Sequence, residues 1–92
     1  MMYVILVYDV SMERNGAKVL RNVFKICKKY LQHVQCSVFE GELSPPQIKQ
    51  LEVELNQYLR DDIDSVILFQ SRQEKWLTRT FLGKAEEDKQ FL

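Results

Sequence analysis

Residues that cross-link, ligate metals or break structure are scarce in this chain. Its 92 residues include two cysteines, one histidine, two prolines, three glycines and one tryptophan. Cys27 and Cys36 have neither the number nor the spacing of a disulfide framework or a zinc site, so free thiols are expected. His33 and Cys36 together are too few ligands to hold a metal. No apolar run approaches the roughly 20 residues that cross a bilayer. The first residues read as a strand and not as a charged, apolar leader, which implies a cytoplasmic protein. Repeats, low-complexity segments and linkers are absent as well, and the length suits one domain over residues 1–82 with a polar tail over 83–92. Net charge is the last absence: 13 basic and 13 acidic residues cancel, so overall charge does not point to a polyanion.

The distribution of charge is more informative. Between Glu13 and Tyr30 stand Arg14, Lys18, Arg21, Lys25, Lys28 and Lys29 against a single acid. Between Glu40 and Asp64 the balance reverses, with seven acids against Lys49 and Arg60. The chain has a basic first half and an acidic middle.

The first ordered feature is Met2-Tyr3-Val4-Ile5-Leu6-Val7-Tyr8-Asp9-Val10, rich in β-branched and aromatic residues and too short for a confident helix. Strand alternation sends Val4, Leu6 and Tyr8 to one face and Tyr3, Ile5, Val7 and Asp9 to the other. Asp9 is therefore a lone carboxylate on an otherwise apolar face. It either ends the strand and caps the next helix, or does chemistry.

Ser11 reads as a helix N-cap, and residues 13–31 follow a helical period with Leu20, Val23, Phe24, Cys27 and Leu31 as the core stripe. The six cations gather on the opposite side as a wedge roughly 100° wide. An ordinary solvated helix face is polar too, but usually mixes signs; a ridge without acids favours an anionic partner. Residues 33–42 read as one bent strand or two short ones. Ser44-Pro45-Pro46-Gln47 has the composition of a capping box with proline at the first helical position, and Ile48, Leu51, Leu55, Tyr58 and Leu59 continue that helix. Asp61, Asp62 and Asp64 read as a capped turn and not a calcium loop, since no alternating ligand pattern with glycine follows. Residues 65–70 form a doubly apolar strand, and Trp76 to Leu82 a further extended candidate.

This order of elements implies an α+β, ferredoxin-like sandwich with two helices on one face of an antiparallel sheet. Two helices cover one face only. The other, carrying Tyr3, Ile5 and Val7, calls for a sheet-to-sheet homodimer. If about 500 Å² of apolar surface per chain is covered, the gain at roughly 25 cal/mol per Å² is about 12 kcal/mol before association costs. Two-fold symmetry would then set Asp9 of each chain on one shared groove, where a divalent cation and a phosphate become conceivable.

Two signals carry a resemblance: Tyr-Val-Ile-Leu-Val-Tyr-Asp-Val at the first strand, and Val34-Gln35-Cys36-Ser37-Val38-Phe39-Glu40-Gly41-Glu42-Leu43-Ser44-Pro45 after the basic helix. With Asp64-Ser65-Val66 before the later strand, residues 1–72 resemble the small CRISPR-associated protein of the spacer-acquisition step, second in that series. The resemblance implies a ferredoxin-like homodimer with Asp9 as the catalytic, metal-binding aspartate of both chains, taking Mg²⁺ or Mn²⁺. It implies partnership with the CRISPR-associated integrase, binding of duplex DNA, and metal-dependent endonuclease activity on RNA or double-stranded DNA in some members. Tyr8, His33, Ser37 and Phe39 are expected beside the groove, and Arg14, Lys18, Arg21, Lys25 and Lys28 on nucleic acid. His33 stands where many members carry arginine, with Leu31 and Gln32 before it. A stand-alone, toxin-like Mg²⁺-dependent endoribonuclease on the same fold is the alternative.

Overall fold

A computed structural model describes residues 1–73, 78 and 80–83. The elements run β1 (Met2–Asp9), α1 (Gly16–Tyr30), β2 (Gln32–Gln35), β3 (Val38–Leu43), α2 (Pro45–Asn56) and β4 (Ser65–Ser71). The sheet order is β2-β3-β1-β4 with every neighbouring pair antiparallel. Both helices pack on one face, so the fold is the expected ferredoxin-like α+β sandwich. The strand expected over 76–82 depends on residues 76, 77 and 79, which lie outside the described residues, as does the tail from residue 84.

The core follows the pleat of β1. Val4, Leu6 and Tyr8 are buried against the helices together with Val23, Ile26 and Cys27 of α1, Phe39 and Leu43 of β3, and Ile48, Leu51 and Leu55 of α2. Residues 33–42 resolve into two strands joined at Cys36, which has φ 44°, with a register irregularity between His33 and Gln35. The second helix begins as its sequence implies: Ser44 Oγ accepts from the Gln47 N–H at 3.3 Å, and Gln47 Oε1 accepts from the Ser44 N–H at 2.8 Å. It stops at Asn56, short of Tyr58 and Leu59; Leu59 still packs against the core, while Tyr58 is exposed.

The first helix differs from its expectation. It starts at Gly16 and not near residue 13, and its N-cap is Asn15 in the left-handed region (φ 64°) without a side-chain cap bond. Ser11 instead accepts from the Glu13 N–H at 3.1 Å, inside a turn. The physical reason lies in a distant residue: Arg60 holds the carbonyls of that turn, as described below.

Candidate functional site

Asp9 is the last residue of β1, exposed, and opposite Ser65 of β4. Directly paired residues share a face in an antiparallel sheet. The pairs Ile5↔Phe69 and Val7↔Ile67 therefore build one apolar stripe on the face the helices leave open. Ile67 and Phe69 are 52% and 54% exposed. On the β3 side the stripe continues as Val38 and gives way to Glu40 and Glu42, with the Tyr3 hydroxyl donating to Glu40. Among the described residues the Asp9 carboxylate has no hydrogen-bond or ion-pair partner. No group of three His, Cys, Asp or Glu able to hold a metal occurs among them either. A hard divalent cation needs about six oxygens, and usually more than one protein carboxylate when no nucleotide is bound. One protomer's Asp9 does not supply that set; a symmetry-related pair with water is a better match.

The turn that follows Asp9 is fixed from the other end of the chain. Arg60 donates through Nη2 to the Ser11 carbonyl at 2.8 Å, and through Nη1 to the Glu13 carbonyl at 3.0 Å and to that of Arg14. Asp64, whose side chain is 0% exposed, anchors Arg60 through an ion pair and accepts the backbone N–H groups of Ser11 and Arg60, each at 2.9 Å. The Arg60 guanidinium, followed by those backbone donors, holds the Asp64 carboxyl down at about 2. The turn is tight enough that Arg14 has φ 50°, and a Cβ on Gly16 would meet the Ser11 carbonyl oxygen at 2.0 Å. Asp9 at one end and the start of α1 at the other are thus held in fixed relation. Sequence reasoning placed Asp64 in a capped turn, which it is, but missed Arg60; the only local signal was the four-residue spacing of an arginine and an aspartate.

All six predicted cations are exposed, yet they do not form one ridge. Arg14 precedes α1 and pairs with Asp62 at 2.7 Å. Lys29 pairs with Glu54 of α2, which also receives the Tyr30 hydroxyl, and these donors draw the Glu54 carboxyl below its usual range. Lys28 lies 5.9 Å from the centre of the Phe24 ring. Lys18, Arg21, Lys25 and Lys28 have no carboxylate partner among the described residues. They form the remaining run of positive charge.

The residues expected beside the Asp9 groove divide by face. Tyr8 and Phe39 are 6% and 0% exposed, with ring centres 6.0 Å apart beneath the helices, on the side of the sheet away from Asp9. Their placement there follows from strand alternation, so they lie under the helices and not on the face that carries Asp9. His33 is turned to the same side, its ring 5.1 Å from Phe24 and 4.8 Å from Phe39, and its Nε2–H donates to the Cys36 carbonyl at 2.8 Å. It does not present a cation beside Asp9. Ser37 is half-buried, and its carbonyl accepts from the Tyr8 N–H at 3.2 Å, beside the end of β1. Burial raises the Tyr8 hydroxyl above its usual range and pushes the Cys27 thiol up to about 12.

Comparison with known proteins bears on this arrangement. A family model described as CRISPR associated protein Cas2 matches residues 2–79. A protein of Fusobacterium nucleatum subsp. nucleatum named CRISPR-associated endoribonuclease Cas2 is 51% identical over 86 residues, covering 94% of this chain and 81% of its own length. Its namesake in Thermotoga maritima is 40% identical over 91 residues, covering 99% of both chains. A Cas2 crystal structure superposes with a TM-score of 0.81 at 36% identity, covering 92% of this chain and 90% of its own.

Proposed function

The chain belongs to the CRISPR-associated Cas2 family, and from that premise we propose that it serves spacer acquisition as a homodimer joined through its open sheet face. The dimer bridges the subunits of the CRISPR-associated integrase and presents the cations of α1 to duplex DNA. The carrying observation is the uncovered stripe of Ile5, Val7, Ile67 and Phe69, with its two most prominent side chains about half exposed. An isolated small domain seldom leaves such a patch in water. Lys18, Arg21, Lys25 and Lys28 would contact phosphates and not base edges, giving binding that is strong in low salt and indifferent to sequence. The test is co-assembly of the purified protein with an integrase of the same system and a DNA duplex. Phe69→Asp is expected to abolish assembly, and neutralisation of the three cations Lys18, Arg21 and Lys25 to weaken DNA retention; assembly unchanged in the former would refute the reading.

A second reading is supported by Asp9 itself, a carboxylate without a partner among the described residues at the end of the same stripe, and by the name endoribonuclease carried by the relatives. Here the dimer hydrolyses phosphodiesters, with Asp9 of each protomer holding Mg²⁺ or Mn²⁺. The bound cation would supply charge stabilisation at the phosphate and a more acidic water. The chain's own contribution is to aim Asp9 out of the sheet, on a turn that Arg60 and Asp64 keep fixed. Asp9→Asn is expected to abolish cleavage of single-stranded RNA and leave the dimer intact. Cleavage that survives in this variant, or in excess chelator, would refute it.

A further inference from the structure

Asp9 has a neighbour on the adjacent strand that shares its face. The last pair between β1 and β4 is Asp9↔Ser65, and directly paired residues send their side chains to one side of the sheet with Cβ atoms about 4.5–5.5 Å apart. The apolar stripe of Ile5, Val7, Ile67 and Phe69 therefore ends in two oxygen-bearing side chains, a carboxylate and a hydroxyl, both exposed. Ser11, Ser44 and Ser71 commit their hydroxyls to nearby backbone, accepting the N–H groups of Glu13, Gln47 and Gln73. Ser65 does not: its hydroxyl has no hydrogen-bond partner among the described residues, and neither has the Asp9 carboxylate.

The pair is also held in place. The Ser11 N–H donates to Asp64 Oδ1 at 2.9 Å, which ties the chain just beyond Asp9 to the residue just before Ser65, and Arg60 anchors the same carboxylate. Two oxygens on a strand end closed in this way are preorganised for a ligand that both can hold. Both are hard donors, suited to Mg²⁺ or Mn²⁺ and not to a soft metal. We propose that Ser65 is a further ligand of the Asp9 site, its hydroxyl oxygen binding the same divalent cation as the Asp9 carboxylate. The role of Ser65 rests on the metal-dependent reading of Asp9 above. One oxygen from each Asp9 and each Ser65 of a two-fold pair leaves about two of some six positions on a hard cation for water or a phosphate oxygen.

The test is metal binding by the full chain without nucleic acid, read for Mn²⁺ from the electron paramagnetic resonance signal of the free ion and for Cd²⁺ by calorimetry. Ser65→Ala is expected to weaken Mn²⁺ binding about three- to tenfold at unchanged oligomeric mass, and Ser65→Thr, which keeps the hydroxyl, to restore it. Ser65→Cys exchanges a hard donor for a soft one, so it is expected to weaken Mn²⁺ and to strengthen Cd²⁺ relative to wild type. A residue that only shapes the strand end would not trade one metal for the other. Mn²⁺ affinity unchanged in Ser65→Ala but abolished in Asp9→Asn overturns the role of Ser65 and leaves the metal-dependent reading standing. Mn²⁺ weakened in all three Ser65 variants without a gain in Cd²⁺ overturns direct ligation. Mn²⁺ binding absent from wild type, or undiminished in Asp9→Asn, overturns the metal-dependent reading and the role of Ser65 with it.

Discussion

Removing the Asp64 carboxylate should be among the most costly single changes in the molecule, although the residue sits in a loop. Asp64→Ala deletes the acceptor for two backbone N–H groups and for the Arg60 guanidinium, in a side chain with no solvent exposure. Hydrogen bonds to charged groups contribute about 1.5–3 kcal/mol each but do not add within one cluster, and removing one partner of a buried ion pair costs about 3–5 kcal/mol, so a loss of about 3 kcal/mol is the lower expectation. For a domain of this size that corresponds to a fall of roughly 12–24 °C in Tm. The pH dependence separates charge from packing. Asp64 has a folded value of about 2, below the usual carboxylate value, so the unfolded chain binds the proton more readily. Its stabilisation is therefore full above the unfolded pKa and is lost as pH falls from about 4 through 2. Asp64→Asn, which keeps the shape, should flatten that part of the stability curve. Urea and thermal denaturation across pH 2–7 provide the assay. A Tm within about 3 °C of wild type for Asp64→Ala, or an acid limb unchanged in Asp64→Asn, would refute the clamp.

The same turn makes Gly16 sensitive: a Cβ would meet the backbone of Ser11 at 2.0 Å, so Gly16→Ala is expected to cost about 2 kcal/mol by urea denaturation. Neutralising Lys18, Arg21 and Lys25 to Gln should weaken duplex binding and lower the slope of log K against log salt by about 2.7 in magnitude, if each meets one phosphate; an unchanged slope places the DNA elsewhere. The thiols should differ as well, since Cys36 is exposed while Cys27 is buried and pushed up to about 12. At pH 8 a maleimide should modify one site in the native protein and two in urea, as counted by mass spectrometry.

The sheet face and its lone carboxylate were legible because they depend on local periodicity. Alternation along residues 2–9 suffices to put Asp9 with Ile5 and Val7, and the capping box at Ser44 to fix the start of α2. What was not legible depends on contacts between distant residues. Nothing near Ser11 shows that Arg60, 49 residues away, takes its carbonyl and delays the helix to Gly16. The cationic wedge was read from helical angles alone, which cannot show that Asp62 and Glu54 engage Arg14 and Lys29. Tyr8 and Phe39 belong to sequence signals around the groove, yet the pleat that exposes Asp9 places both on the opposite face.

Everything proposed for Asp9 and for assembly rests on the open face joining two copies. Sedimentation equilibrium at micromolar concentration, on wild type and on Phe69→Lys, tests this directly. Wild type should sediment at about 22 kDa, twice the 11.0 kDa of one chain. The variant should sediment as a single chain with an unchanged circular dichroism spectrum, because Phe69 is exposed and absent from the core. A wild-type protein found only at 11.0 kDa would contradict the account.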